Sequence, residues 1–306
     1  GADRWLAELA RAERRRLVTM IRLEAPALTA TINPLGAELT SLRDAEGREL
    51  MTDADPAFWT GRAPLLFPIV GGLAGDRYRL DGVDYALPRH GFARRMDFVL
   101  VEHQPDRAVL RLTDTEATRA VYPFAFTLDA AFRIEGQALI IALTVTNRGE
   151  TAMPASLGYH PAFAWPLPYG EARADHRILF DEDEPDSLAL LSDGLIVSED
   201  RPSPVTARTL ALDDALFAED ALIWTALRSR GCLYGAADGQ QLRLAWSDMP
   251  SLGIWTKPGA AYVCIEPWDG HADPAGFAGE IWEKPGIRRI APGESLAHWM
   301  RVTLPR

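Results

Sequence analysis

A strict two-residue alternation in the middle of the chain constrains its fold more than any other feature. Phe124, Phe126, Leu128, Ala130, Phe132 and Ile134 alternate with Ala125, Thr127, Asp129, Ala131 and Arg133; after Glu135-Gly136 the pattern resumes at Leu139, Ile141, Leu143 and Val145. Successive side chains on a strand point to opposite faces, so each half of this segment carries one apolar and one polar face. On a helix the same positions would be smeared around the axis. The segment therefore predicts a long antiparallel hairpin with one face in a core.

The same period runs from Leu28 to the end of the chain. Asp81-Gly82, between Tyr78-Arg79-Leu80 and Val83-Asp84-Tyr85, tolerates the positive φ of a type I′ turn and cues a second hairpin. Leu242-Leu244-Trp246, then Tyr262-Val263-Cys264-Ile265-Glu266, then residues 296–304 after the Pro292-Gly293 turn continue the strand pattern. There is no βαβ alternation, and helical pieces are expected only near residues 55–59 and 213–218. The 22 Pro and 24 Gly favour many short elements joined by turns. These signals predict an all-β fold, one large antiparallel β-sandwich domain over residues 20–306. Residues 1–19 stand apart as an N-terminal extension. Leu6, Leu9 and Ala10 have helical spacing and Arg11, Arg14, Arg15 and Arg16 make it basic, so it reads as a short amphipathic helix or an appendage of non-native origin.

Charge and composition narrow the partners. A net charge of -11 argues against nucleic acid, whose phosphates are met by clustered Lys and Arg. No uncharged apolar run approaches the ~20 residues that span a bilayer, and no signal-type segment follows the basic stretch. A cytoplasmic protein without a membrane partner, monomeric or homodimeric, is expected. Cys232 and Cys264 lack metal-ligand spacing and read as reduced thiols. The histidines form no His-x-His or His-x-x-x-His pair, so no metal site is expected, and Gly71-Gly72 and Gly75 read as a flexible loop without a phosphate-binding order.

Reactive groups concentrate in three segments: Pro88-Arg89-His90-Gly91-Phe92-Ala93-Arg94, Leu157-Gly158-Tyr159-His160-Pro161-Ala162-Phe163 and Cys264-Ile265-Glu266-Pro267-Trp268. Alternation puts Tyr262, Cys264 and Glu266 on one strand face, ending a buried row with a carboxylate that is costly unless paired or used. His160 and Glu266 each precede a proline, which favours extended backbone and removes the next N–H as a competing partner. His103, His176, His271 and His298 lack such a context and read as ordinary hydrogen-bonded histidines.

Together with Arg62-Ala63-Pro64-Leu65-Leu66-Phe67-Pro68-Ile69-Val70-Gly71, these segments, in this order, resemble the aldose 1-epimerase (galactose mutarotase) family over residues 21–304, most of all its LacX-like branch. The resemblance implies a β-sandwich of the galactose mutarotase type, no cofactor and a small-molecule sugar substrate. It further implies Glu266 as general base, His160 as general acid, and Arg62, His90 and Asp220 as sugar-binding residues. Trp59 or Trp268 would supply a stacking face. One departure stands out: the family's Ala-Arg-Asp after the histidine motif is Ala93-Arg94-Arg95 here, which puts specificity near His90 in question. An ionised Glu266 and a protonated His160 on opposite sides of the anomeric centre would open and reclose a cyclic hemiacetal.

Other classes stay open: a noncatalytic carbohydrate-binding sandwich, a glycoside hydrolase, which needs a second carboxylate, and a hexose-6-phosphate mutarotase. Arg77, Arg79, Arg89, Arg94 and Arg95 read mainly as solvated charges, and the acidic net charge favours a neutral aldose.

Overall fold

The long alternating segment forms the hairpin its pattern demands. In the computed structural model, which describes residues 19–305, strands Phe126–Glu135 and Ala138–Asn147 pair antiparallel from Glu135↔Ala138 to Phe126↔Asn147. Phe126, Leu128, Ala130 and Phe132 are buried on one face, each larger side chain contributing about 1.5–3 kcal/mol by leaving water. The polar face carries Asp129, which pairs with Arg111 of the neighbouring strand.

This hairpin lies in a nine-stranded antiparallel sheet. Ser295–Thr303 adds beside Ala138–Asn147, followed by Gln241–Trp246, Gly231–Ala236, His176–Phe180 and Thr209–Ala211; Arg107–Thr113 and Val99–Gln104 extend the other side. An eight-stranded sheet has Tyr262–Asp269 at its centre, flanked by Ser251–Trp255 on one side and by Leu157–Tyr159 and Ala162–Ala164 on the other. The sheets are tied directly, because the Tyr159 hydroxyl sits 3.0 Å from the carbonyls of Ile141 and His298 and the Tyr234 hydroxyl donates to Ala164 O at 2.7 Å. One continuous apolar core draws on both sheets and on a three-stranded sheet formed by Ile21–Ala25, Leu28–Asn33 and Glu38–Asp44.

Turn chemistry fits the second hairpin too. Asp81 and Gly82 have φ of 51° and 77°, and Leu80 faces Val83 across the turn. The expected helical pieces are smaller than anticipated. Residues 55–59 make only a turn, with the Phe58 and Trp59 N–H groups both donating to Asp55 O, and Asp214–Phe217 is a 3-10 turn capped by Asp213. An α-helix absent from the sequence reading spans Glu116–Val121; reciprocal bonds between Thr115 and Thr118 cap its start. At six residues it is too short to show a helical period. The helical reading of the extension falls outside the described residues. No described helix is long and apolar enough to cross a membrane.

Candidate active site

Strand Tyr262–Asp269 is buried on both faces. Val263 and Ile265 join the sandwich core, while Tyr262 and Cys264 pack with Trp59 and Trp255 on the opposite face, the face that ends in Glu266. Its neighbour is interrupted at His160-Pro161. Leu157–Tyr159 pairs with residues 268–269 and Ala162–Ala164 with residues 262–264, and Pro161 O accepts from the Ile265 N–H at 3.2 Å. The break sets His160 over the carboxylate: Nε2 is 3.2 Å from Glu266 Oε2. On the other flank Gly253 faces Glu266, and a Cβ there would come within 2.4 Å of the Trp268 ring. Only glycine leaves room for that indole.

These groups line a cavity of about 550 Å³ walled by Trp59, Trp255 and Trp268. The Trp59 ring centroid lies 5.0 Å from that of His160. Glu266 is 2% exposed and His160 11%, yet Glu266 Oε2 and His160 Nδ1 have no hydrogen-bond partner among the described residues. Buried polar atoms are almost always satisfied, so two unpartnered atoms facing a cavity mark a place for a polar ligand.

Burial decides the proton positions. It pushes the Glu266 carboxyl well above the usual carboxylate range, helped by the charge of Asp220, and pushes His160 down to about 3, helped by Arg94. Desolvation disfavours the charged form of each group. Both shifts run against an ionised Glu266 and a charged His160, toward a pair with its proton on Glu266. The two side chains are in contact.

His90 joins them from a strained turn. Its φ is 66°, its N–H donates to Gly71 O at 2.9 Å, and its Nδ1 accepts from the Gly71 N–H at 3.0 Å. With burial also pushing its pKa well down, the ring is neutral and carries its proton on Nε2. The following glycine is required. Gly91 has φ 70°, and a Cβ there would lie 2.2 Å from Phe67 O. Asp220, exposed and at φ 83°, also lines the cavity, with Oδ1 accepting from the Ala221 N–H.

Arg62 does not join this group. Its guanidinium donates to the carbonyls of Thr40, Thr52 and Asp53, its own carbonyl accepts from the Ala162 N–H, and it does not line the cavity. It braces the loop before the site. Among the described residues, the cations that do line the cavity are Arg89, Arg94 and Lys257.

The model for the aldose 1-epimerase family matches residues 19–303. The chain belongs to the aldose 1-epimerase family. Protein LacX (chromosomal) of Lactococcus lactis subsp. lactis is 32% identical over 295 residues, covering 93% of this chain and 99% of LacX. The structure of a galactose mutarotase related enzyme from Lactobacillus acidophilus is 32% identical with a TM-score of 0.88, covering 94% of this chain and 98% of that one. A galactose mutarotase-like protein from Lactobacillus casei is 27% identical with a TM-score of 0.85, covering 94% and 100%. The galactose mutarotase-like fold follows from these structures.

In this aldose 1-epimerase family member, one set of potential metal donors occurs among the described residues: His160, Cys264 and Glu266 offer atoms within 4.8 Å of one another. Burial and the neighbouring Glu266 hold the Cys264 thiol far above its usual range, which disfavours the thiolate a metal would need. The glycine-rich segment is packed at Gly71 and Gly72, while Gly75 faces open space. Gly71 has φ 78°, and a Cβ there would sit 2.5 Å from Ala272 N. Beneath it the buried Lys284 Nζ donates to Asp273 Oδ1 at 2.7 Å and to His271 O, while Asp273 Oδ2 accepts from the Ala74 N–H. Trp255 and Lys257 had no signal in the sequence: Trp255 ends an ordinary apolar strand and Lys257 lies two residues beyond it.

Proposed function

We propose that this protein interconverts the α and β anomers of an aldose, with Glu266 as general base and His160 as general acid. The observation that carries the reading is the contact between two buried, partly unsatisfied groups of opposite proton function, 3.2 Å apart in the cavity. The anomeric hydroxyl and the ring oxygen are both bonded to C1, so a pair in contact reaches both from one side.

In the productive complex the Glu266 carboxylate removes the anomeric hydroxyl proton while the His160 imidazolium protonates the ring oxygen. The C1–O bond of the ring breaks and an aldehyde forms. Glu266 is then protonated and His160 neutral, the distribution that burial favours, so the site stabilises the open-chain state relative to the closed one. Rotation about C1–C2 presents the other aldehyde face. On reclosure the ring hydroxyl attacks C1, its proton returns to His160, and Glu266 protonates the carbonyl oxygen. His90 Nε2–H and Asp220 hold the remaining hydroxyls while C1 turns.

Glu266→Gln and His160→Asn are each expected to lower anomer exchange about 10²–10⁴-fold, measured by polarimetry or NMR exchange, with an unchanged circular dichroism spectrum. Turnover near the wild-type level in either variant would overturn the assignment.

A further inference from the structure

Three cations line the cavity, and no acid among the described residues is ion-paired with any of them. Arg89 and Lys257 make no side-chain hydrogen bond among those residues, and Arg94 uses only Nη2, which donates to Arg89 O at 2.9 Å; its buried Nε has no partner. Many arginines elsewhere are neutralised by carboxylates, as in Arg79–Asp84, Arg111–Asp129 and Arg243–Asp181. This cluster is crowded with like charge instead. Burial and the neighbouring Arg95 and Arg89 bring Arg94 down to about 10. Arg89 is also held in place. A Cβ on Gly194 would lie 1.9 Å from its Nη2, so the guanidinium rests directly on that backbone, and Gly72 in turn packs against Gly194 O.

Charge in the cavity is polarised. Asp220 acts on Glu266, whereas Arg94 acts on both His160 and His90, and Arg89 on His90. Arg89 and Arg94, on the same turn as His90, therefore belong to the histidine side, while Lys257 lines the cavity from the segment after Trp255. If His160 serves the ring oxygen, as in the mutarotase reading on which this placement rests, that side receives the exocyclic carbon attached next to the ring oxygen. From these placements we infer that the sugar carries an anionic group on that carbon, a phosphate or a carboxylate, held by Arg89, Arg94 and Lys257.

The chemistry suits the site. Guanidinium groups bind phosphate and carboxylate through paired, charge-assisted hydrogen bonds, and here they are preorganised without an internal acid to displace. An anion beside Arg94 would also relieve the positive pressure on His160 and favour the imidazolium that ring opening requires. The net charge of -11 acts mainly beyond the cavity, where salt screens it over roughly 8 Å. The local cations, not the global charge, therefore set the preference, in place of the neutral aldose expected from the sequence.

The test is a titration of the full chain by tryptophan fluorescence, since three tryptophans wall the cavity. The probes are glucose and galactose, their 6-phosphates, and glucuronate and galacturonate. At least one anionic class should bind about tenfold or more tighter than its parent sugar, and the phosphate and uronate arms identify which anion the site takes. Arg89→Met, Arg94→Met and the exposed Lys257→Met should each shrink that ratio several-fold, and added NaCl should weaken it. Equal affinities for anionic and parent sugars, or a preference untouched by all three substitutions, would overturn the inference. Anomer exchange on the same sugars is read separately by NMR. An anion preference without exchange defeats the mutarotase reading and leaves the anion site standing; exchange without a preference does the reverse.

Discussion

Removing either member of the buried pair should tilt the pH dependence of stability, in opposite directions. With both present, folding leaves their proton count unchanged between pH 4.5 and 6.5. The unfolded chain holds one proton on His160, whose ordinary pKa is 6.5, and the folded chain holds one on Glu266, whose ordinary value is 4.5. The pair adds no slope in that window. In Glu266→Gln only His160 remains, and between 6.5 and about 3 the unfolded state binds the proton that the folded state refuses. Stability then falls as pH falls, by about 1.4 kcal/mol per pH unit for one proton. In His160→Asn only Glu266 remains, and above 4.5 the folded state keeps a proton that the unfolded state releases. Stability then falls as pH rises, with the same slope. From pH 4.5 to 6.5 the first variant should gain about 2.3 kcal/mol relative to wild type, and the second should lose stability over the same window. Urea unfolding followed by tryptophan fluorescence at several pH values measures this. Taking differences from wild type removes the other groups, including His90, His176 and His271, whose pKa values burial also lowers. Variant curves running parallel to wild type would refute the neutral pair.

Lys284→Met should cost about 3–5 kcal/mol in urea unfolding, because it strands the buried Asp273 carboxylate; a loss below about 1 kcal/mol would show that the pair does not hold the loop. Gly91→Ala, with φ 70° and a 2.2 Å approach to Phe67 O, should destabilise by at least about 2 kcal/mol and lower Tm measurably. An unchanged Tm would mean that the turn yields freely. Dialysis against EDTA should leave anomer exchange within about twofold, whereas loss restored by Zn²⁺ would place a metal on His160, Cys264 and Glu266.

The strands were legible because alternation is a property of adjacent residues. Phe126 through Phe132, the Asp81-Gly82 turn and the Tyr262-Cys264-Glu266 face all appear where the pattern puts them. The helix Glu116–Val121 escaped notice, since one capped turn and a half leaves no period to read. His160 and His90 stood out in reactive segments and took their roles from a resemblance to a family, Asp220 entered through that resemblance alone, and the fold brings all three to one cavity with Glu266. Arg62 came by the same route, and the fold sends it elsewhere. The carbonyls of Thr40, Thr52 and Asp53 capture its guanidinium.

What the sequence determined by itself was therefore the β architecture and the identity of its reactive groups, because backbone periodicity and side-chain chemistry are carried by each residue and its neighbours. Tertiary structure alone decided which of those groups meet, which lose water and which charges stay unpaired. Glu266 is pushed toward its protonated form and His160 toward its neutral form because strands distant in sequence bury both. Arg89, Arg94 and Lys257 become a cation cluster because the turn at His90 and the segment after strand Ser251–Trp255 open onto the same cavity. Desolvation and charge proximity depend on distances in space, and no local pattern in the chain encodes them.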